Sequence, residues 1–216
     1  MLHAILHWLF PPKCILCGKL LKKDETDLCR SCRVEAPVFS KGKLNVQFLD
    51  SYAAVWYYEG YVRRSLLRYK FHGARQYADA YGRMLAMKIL EEYPEGFDVL
   101  TWVPISPLRK FRRGYDQVEL LARAAAKELQ TEAVPVLKKV RHNPPQSGID
   151  GHTQRRANVL GIYRCIDEER IRGKRILLLD DIITTGATLS ECARVLKTGG
   201  AEEVHCAVIA AAGKHK

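Results

Sequence analysis

Two apolar runs frame the most regular stretch of the chain. Ile176 to Leu179 contains no polar position, as a strand buried on both faces requires, and Val204 to Ala212 is a second apolar run. Between them Leu189, Ala193 and Leu196 recur at helical spacing from Thr188 onward, and Gly199-Gly200 supplies a stop. The unit reads strand, loop, helix, strand. Asp98 to Pro104 reads as another buried strand, followed by a polar loop and a helix from about Tyr115. Strands are expected near 98–103, 134–137, 176–180 and 204–209 in one mainly parallel sheet, with 51–58 as an added edge strand. From 141 to 164, proline, glycine and polar residues dominate until Val159, which predicts a long loop and then a strand. At the start, Ile5, Leu6, Leu9 and Phe10 fit one face of a helix that docks on the rest of the protein.

Composition narrows the setting. Of 216 residues 47% are hydrophobic, enough for an ordinary core. No run is long and apolar enough to span a bilayer, and the opening MLHAILHWLF lacks the basic start and small-residue cleavage site of a signal peptide. A cytoplasmic protein is expected. The formal charge of +11 draws phosphates, nucleic acid or anionic lipid alike. The cations cluster at Arg63, Arg64, Arg68 and Lys70, at Arg109, Lys110, Arg112 and Arg113, and at Arg170, Arg172, Lys174 and Arg175.

Four of the seven cysteines crowd into Cys14-x2-Cys17-Gly18 and Cys29-x2-Cys32. A two-residue spacer lets both thiolates of a pair face one ion, and two pairs complete a tetrahedral shell suited to zinc. With all four ligands from protein no coordination position stays open, so the expected Zn2+ is structural. Residues 1–44 are assigned to the N-terminal helix and this module, and 45–216 to the second domain.

Asp180 and Asp181 follow the Ile176–Leu179 run at its expected end, and Thr184, Thr185, Gly186, Ala187 and Thr188 lead into the helix. A turn from a strand into a helix N-terminus presents unpaired N–H groups and partial positive charge to a phosphate. The threonines add hydroxyl donors, and Gly186 removes a side chain that would block approach. Two carboxylates can accept from vicinal hydroxyls. A diol and a phosphate together describe a ribose 5-phosphate. The string LLLDDIITTGAT resembles the signature of type I phosphoribosyltransferases. That resemblance implies 5-phosphoribosyl 1-diphosphate, with Asp180 and Asp181 on the ribose and Thr184 to Thr188 on the 5-phosphate. It also disfavours hypoxanthine or guanine salvage, because Thr184 stands where such members carry an aspartate base.

Further resemblance comes from PPKCILCG…LCRSC, YKFHGARQYADAYGRMLA and RRGYDQVELLA. Together with the phosphoribosyl string they are similar to the ComF (ComFC-like) competence proteins, from about Phe10 to Ala210. The implied fold is α/β and type I phosphoribosyltransferase-like, a mainly parallel sheet flanked by helices behind a small zinc-binding module. The implied role is the handling of single-stranded DNA during natural transformation, with DNA-uptake partners such as a helicase. Ser106, Arg109 and Lys110 follow the 98–104 strand, where this fold meets the Mg2+-bound diphosphate; a solvated basic loop is the other reading. Gln146, Arg155, Arg156 and Asn158 are the contacts of an expected lid, or lie on an ordinary surface loop.

Two functions stay open on these residues. One is phosphoribosyl transfer to an unidentified nucleobase or amine, with no residue assigned a catalytic role. The other is a binding module, in which Tyr57, Tyr58, Tyr61, Tyr69 and Phe71 stack bases between the cations. The same aromatics fit the core face of an amphipathic helix.

Overall fold

The computed structural model describes residues 11–40, 44–141 and 161–213. The expected helix within 1–10 lies outside them. Helices are α1 (Arg30–Glu35), α2 (Gly60–Phe71), α3 (Tyr77–Glu92), α4 (Pro107–Arg113), α5 (Gln117–Glu128), α6 (Glu168–Ile171) and α7 (Ala187–Thr198). Strands are β1 (Ser51–Tyr57), β2 (Val99–Trp102), β3 (Leu137–Lys139), β4 (Tyr163–Cys165), β5 (Arg175–Ile183) and β6 (Glu203–Ala211). The main sheet has the order β1-β6-β5-β2 and every pair in it is parallel. The 51–58 segment is its edge strand, as expected.

Side-chain alternation along β5 sorts the core into two layers. Leu177 and Leu179 pack with Tyr69, Tyr81, Leu85 and Leu121 of α2, α3 and α5, while Ile176 and Leu178 pack with Leu189, Cys192 and Leu196 of α7. Helices on both faces explain why the run had to be apolar throughout. Where α3 meets α5, Gly82 lets the backbones touch: a Cβ there would lie 2.5 Å from Ala124 Cβ.

Three sequence expectations need correction. The strand near 134–137 does not join the main sheet. Its start touches β2 through Val134 N–H donating to Leu100 O at 2.9 Å. Pro135 then has no N–H to continue a ladder, and the chain turns into β3, which pairs antiparallel with β4 in a separate two-stranded sheet. The segment after Ser106 is a helix rather than a loop. Ser106 caps α4 through Arg109 N–H, Pro107 occupies its first turn, and Gly114 ends it with φ of 75°. Finally, β5 runs on to Ile183, so Asp180 and Asp181 lie within the strand rather than at its end.

The cysteine module forms a compact knuckle. Cys14 N–H donates to Lys19 O and Gly18 N–H returns to Cys14 O, both at 2.8 Å, with Gly18 at φ of 80°. Cys29 is the N-cap residue of α1, and Cys32 lies inside that helix. All four sulfurs lie within 4.8 Å of one another, and Cys17 and Cys29 are 3.7 Å apart. A tetrahedron with zinc–sulfur bonds of about 2.3 Å has edges of about 3.8 Å, so the cluster fits the ion.

This knuckle is bolted to helices α2 and α3. Arg68 donates to the carbonyls of Ile15 and Leu16 at 2.8 Å each, and Ser65 donates to Ile15 O. Arg83 grips Asp27 with two bonds of 2.9 and 2.6 Å. Leu16 and Leu28 belong to the same core as Tyr69 and Tyr81. Downstream, Phe39 N–H donates to Val55 O and Tyr57 N–H to Pro37 O, which covers the free edge of β1.

Zinc should therefore support more than the knuckle. Wild-type protein is expected to carry about one zinc per chain, and Cys14→Ser to lose it and to lower the melting temperature of the whole chain. Metal analysis with calorimetry checks this; a zinc-free wild type that melts like the metal-loaded form would refute it.

Candidate functional site

A cavity of about 910 Å3 opens at the carboxyl ends of the parallel strands, where open α/β sheets take ligands. The turn after β5 forms one wall. Gly186 sits at φ of 74° and caps α7, and a Cβ there would come within 2.7 Å of Val46 Cγ2. Both the dihedral and the space exclude a larger residue. Ala187 N–H, the first of α7, reaches Thr185 Oγ1 at a long 3.5 Å, and Thr184, Thr185 and Thr188 line the same wall.

The two aspartates straddle β5. Asp181 follows Leu177 and Leu179 onto the α2–α5 face and is 3% exposed. Lys70 Nζ lies 2.8 Å from its Oδ1, and Gln117 donates to its Oδ2 at 3.1 Å. Asp180 follows Ile176 and Leu178 onto the opposite face. Its Oδ1 accepts the N–H of Asp181 at 2.8 Å, and among the described residues it forms no ion pair. Burial, and then the charge of Asp181, push its carboxyl well above the usual carboxylate range. Both line the cavity, but from two directions rather than as one clamp.

The RRGYDQ segment contributes Arg112, Arg113, Tyr115 and Gln117 to the lining. Asp116 caps α5, accepting from Val118 and Glu119 N–H at 2.9 and 3.1 Å, and also from Ile105 N–H at 3.2 Å. This ties the exit of β2 to α5. Arg113 donates to Gln117 at 2.7 Å, which in turn holds Asp181. Tyr115 donates to Tyr69 O, and Tyr69 donates to Gln117 O at 2.6 Å.

Of the residues expected on a diphosphate, Arg109 lines the cavity. Ser106 is buried and caps α4, and Lys110 turns to Glu119 at 3.0 Å; neither lines it. The lid residues Gln146, Arg155, Arg156 and Asn158 lie outside the described residues. Tyr57 and Tyr69 are core residues and cannot stack a base, whereas Tyr58 lines the cavity and Tyr61 is exposed. Phe71 is 61% and Phe111 86% exposed, and Arg113 lies 4.8 Å above the Phe71 ring. Sequence reasoning missed Phe111, although an aromatic inside RKFRR was a visible signal. It also missed Gln117, Lys139 and Tyr163 as wall residues, for which no spacing gave notice.

The asymmetry of the aspartates generates opposite expectations. Asp180→Asn keeps the acceptor for Asp181 N–H and removes a half-buried charge that has no ion-pair partner among the described residues. It should raise the melting temperature at neutral pH by about 2–4 °C, or ~1 kcal/mol. A carboxyl whose pKa is raised by folding favours the native state only while protonated, so this gain should shrink as pH falls toward about 4. Asp181→Asn should lower the melting temperature, because Lys70 loses its partner. Melting curves with the reverse order would contradict this electrostatic account.

Comparison with known proteins agrees with this architecture. The family model described as "Phosphoribosyl transferase domain" matches residues 119–216, and "Double zinc ribbon domain" matches residues 5–43. The latter stretch holds four cysteines, enough for one tetrahedral ion. "Competence protein ComFC" of Streptococcus pneumoniae is 28% identical over 89% of this chain and 96% of its own length. The protein of that name from Bacillus subtilis is 27% identical over 87% of this chain and 72% of its own. "Competence protein F" of Haemophilus influenzae is 31% identical, but over 47% of this chain and 45% of its own length, so the alignment spans less than half of that relative. With a phosphoribosyltransferase-like fold behind a four-cysteine zinc ribbon and relatives aligned along most of its length, the chain is similar to the ComFC-like competence proteins.

Proposed function

We propose that the chain binds 5-phosphoribosyl 1-diphosphate with Mg2+ in this cavity and handles single-stranded DNA during DNA uptake. One observation carries the first half: Asp180, Asp181 and the 184–188 turn converge on a single cavity at the sheet's carboxyl edge. The turn and the N-terminus of α7 would take the 5-phosphate. The aspartates would take ribose hydroxyls from either side of β5, and Arg109 would take diphosphate oxygens through charge-assisted bonds. Mg2+ prefers oxygen ligands and keeps several waters, so it would enter on the diphosphate.

The second half draws on the relatives' names and on the surface beside the cavity. Phe71 and Phe111 are exposed among Arg63, Arg112 and Arg113, which line the cavity. Exposed rings can stack on bases while guanidinium groups follow phosphates. Residues 1–44 as a metal module and 45–216 as the ligand-binding domain is the division that goes with this reading.

Calorimetric titration with phosphoribosyl diphosphate and Mg2+ is expected to show saturable binding. The combined change Asp180→Asn with Asp181→Asn is expected to abolish it in a folded protein. Unimpaired binding in that variant would remove the pocket assignment. Phe71→Ala with Phe111→Ala should weaken binding of a single-stranded oligonucleotide by about tenfold or more. Unchanged oligonucleotide affinity would place any DNA site elsewhere.

A further inference from the structure

One wall of the cavity carries a cation that the fold leaves unbalanced. Lys139 ends β3 opposite Tyr163 of β4. It is 6% exposed, yet it lines the cavity together with Tyr163, Asp180 and Arg109. Among the described residues its Nζ makes one hydrogen bond, 3.3 Å to the Tyr163 hydroxyl, and lies 5.1 Å from the centre of that ring. Among the described residues it forms no ion pair with a carboxylate. The tyrosine supplies no counter-charge, because burial pushes its hydroxyl far above its ordinary value. A lysine has three donors and this one uses a single bond. An ammonium held this way costs free energy unless an anion meets it.

The hairpin that presents Lys139 is fixed to the phosphate-binding side of the fold. Gly161 N–H, just before β4, donates to Glu191 Oε1 of α7 at 2.8 Å, and Val140 N–H donates to Ile162 O at 2.8 Å. Lys139 therefore has a position set by α7, the helix whose N-terminus forms the turn. Serving the phosphate in that turn is one task; a second anion would need cations of its own. Arg109 is the only expected diphosphate residue that reached the cavity, and it acts electrostatically on Lys139. Two mutually repelling cations at one wall mark a place built for oxygens of high negative charge.

We infer that Lys139, positioned by Tyr163, is a diphosphate-binding residue of this cavity, forming with Arg109 an oxyanion subsite separate from the 184–188 turn. The inference rests on the ligand proposed above and adds a residue from a strand pair that carries no recognisable phosphate motif. Burial draws the Lys139 ammonium down to about 8. The charged and titratable groups that act on it are Arg109 of α4, Tyr163 of β4, Asp180 of β5 and Cys192 of α7. An anion needs the charged form, so its affinity should fall as pH rises through about 8.

The test titrates the full-length protein and Lys139→Met separately with inorganic pyrophosphate, ribose 5-phosphate and phosphoribosyl diphosphate, each with Mg2+. The variant is expected to bind pyrophosphate and phosphoribosyl diphosphate at least about tenfold more weakly, with ribose 5-phosphate unchanged. Wild-type affinity for pyrophosphate should decline through about pH 8 more steeply than that of the variant. Equal pyrophosphate affinity in both proteins overturns the inference and leaves the pocket intact. A parallel loss of ribose 5-phosphate overturns it as well, because that pattern marks general damage to the cavity. Should the variant fold poorly, the wild-type pH profile decides, and a flat one counts against Lys139. Wild-type protein that binds none of the three ligands overturns both this inference and the function proposed above.

Discussion

The carboxylate of Asp181 is almost fully enclosed, and the surrounding structure is arranged around it. Lys70 reaches it from the end of α2 and Gln117 from the start of α5. Gln117 is held by Arg113, α5 is capped by Asp116, and Asp116 also grips the exit of β2. A charge in this position is tolerated only with an opposite charge and further hydrogen bonds. The position of three elements relative to β5 therefore follows from one side chain. The RRGYDQ string thereby acquires a physical meaning: Gly114 turns the chain, Tyr115 locks it to α2, Asp116 caps, and Gln117 reaches the strand.

Asp180 has no such support, and the contrast defines the cavity. One residue along a strand reverses the face, so adjacent aspartates enter two different environments. Asp181 is matched within the protein, whereas Asp180 feels Lys70 and acts on Lys139 without an ion pair among the described residues. Charges left unbalanced within a fold are costly, and they concentrate where a ligand completes the balance. The Asp180 carboxyl on β5, the Lys139 ammonium on β3 and the N-terminus of α7 share one space. That combination suits a ligand carrying hydroxyls and phosphates.

The zinc knuckle supports this arrangement at one remove. Arg68 and Ser65, which hold it, belong to the same helix that delivers Lys70 to Asp181. Ser65 also bonds to Tyr81 at 2.6 Å, joining α2 to α3. The knuckle thus anchors α2, although none of its four cysteines lies in the cavity.

The sequence alone determined the parts whose chemistry is local. Cysteine spacing names a tetrahedral site because ligands two residues apart must share an ion, and the four sulfurs do gather. The β5–turn–α7 unit was readable because a buried parallel strand has to be apolar and its glycine-containing turn into a helix leaves a local signature. The relation between distant walls was decided only by tertiary structure. Pairing of β3 with β4 turned on one proline and a strand partner more than twenty residues away, so Lys139 and Tyr163 gave no local signal. Ser106 and Lys110 carried the right chemistry and were consumed by a cap and by Glu119. A side chain's type limits what it can bind, but its neighbours decide whether it is free to do so.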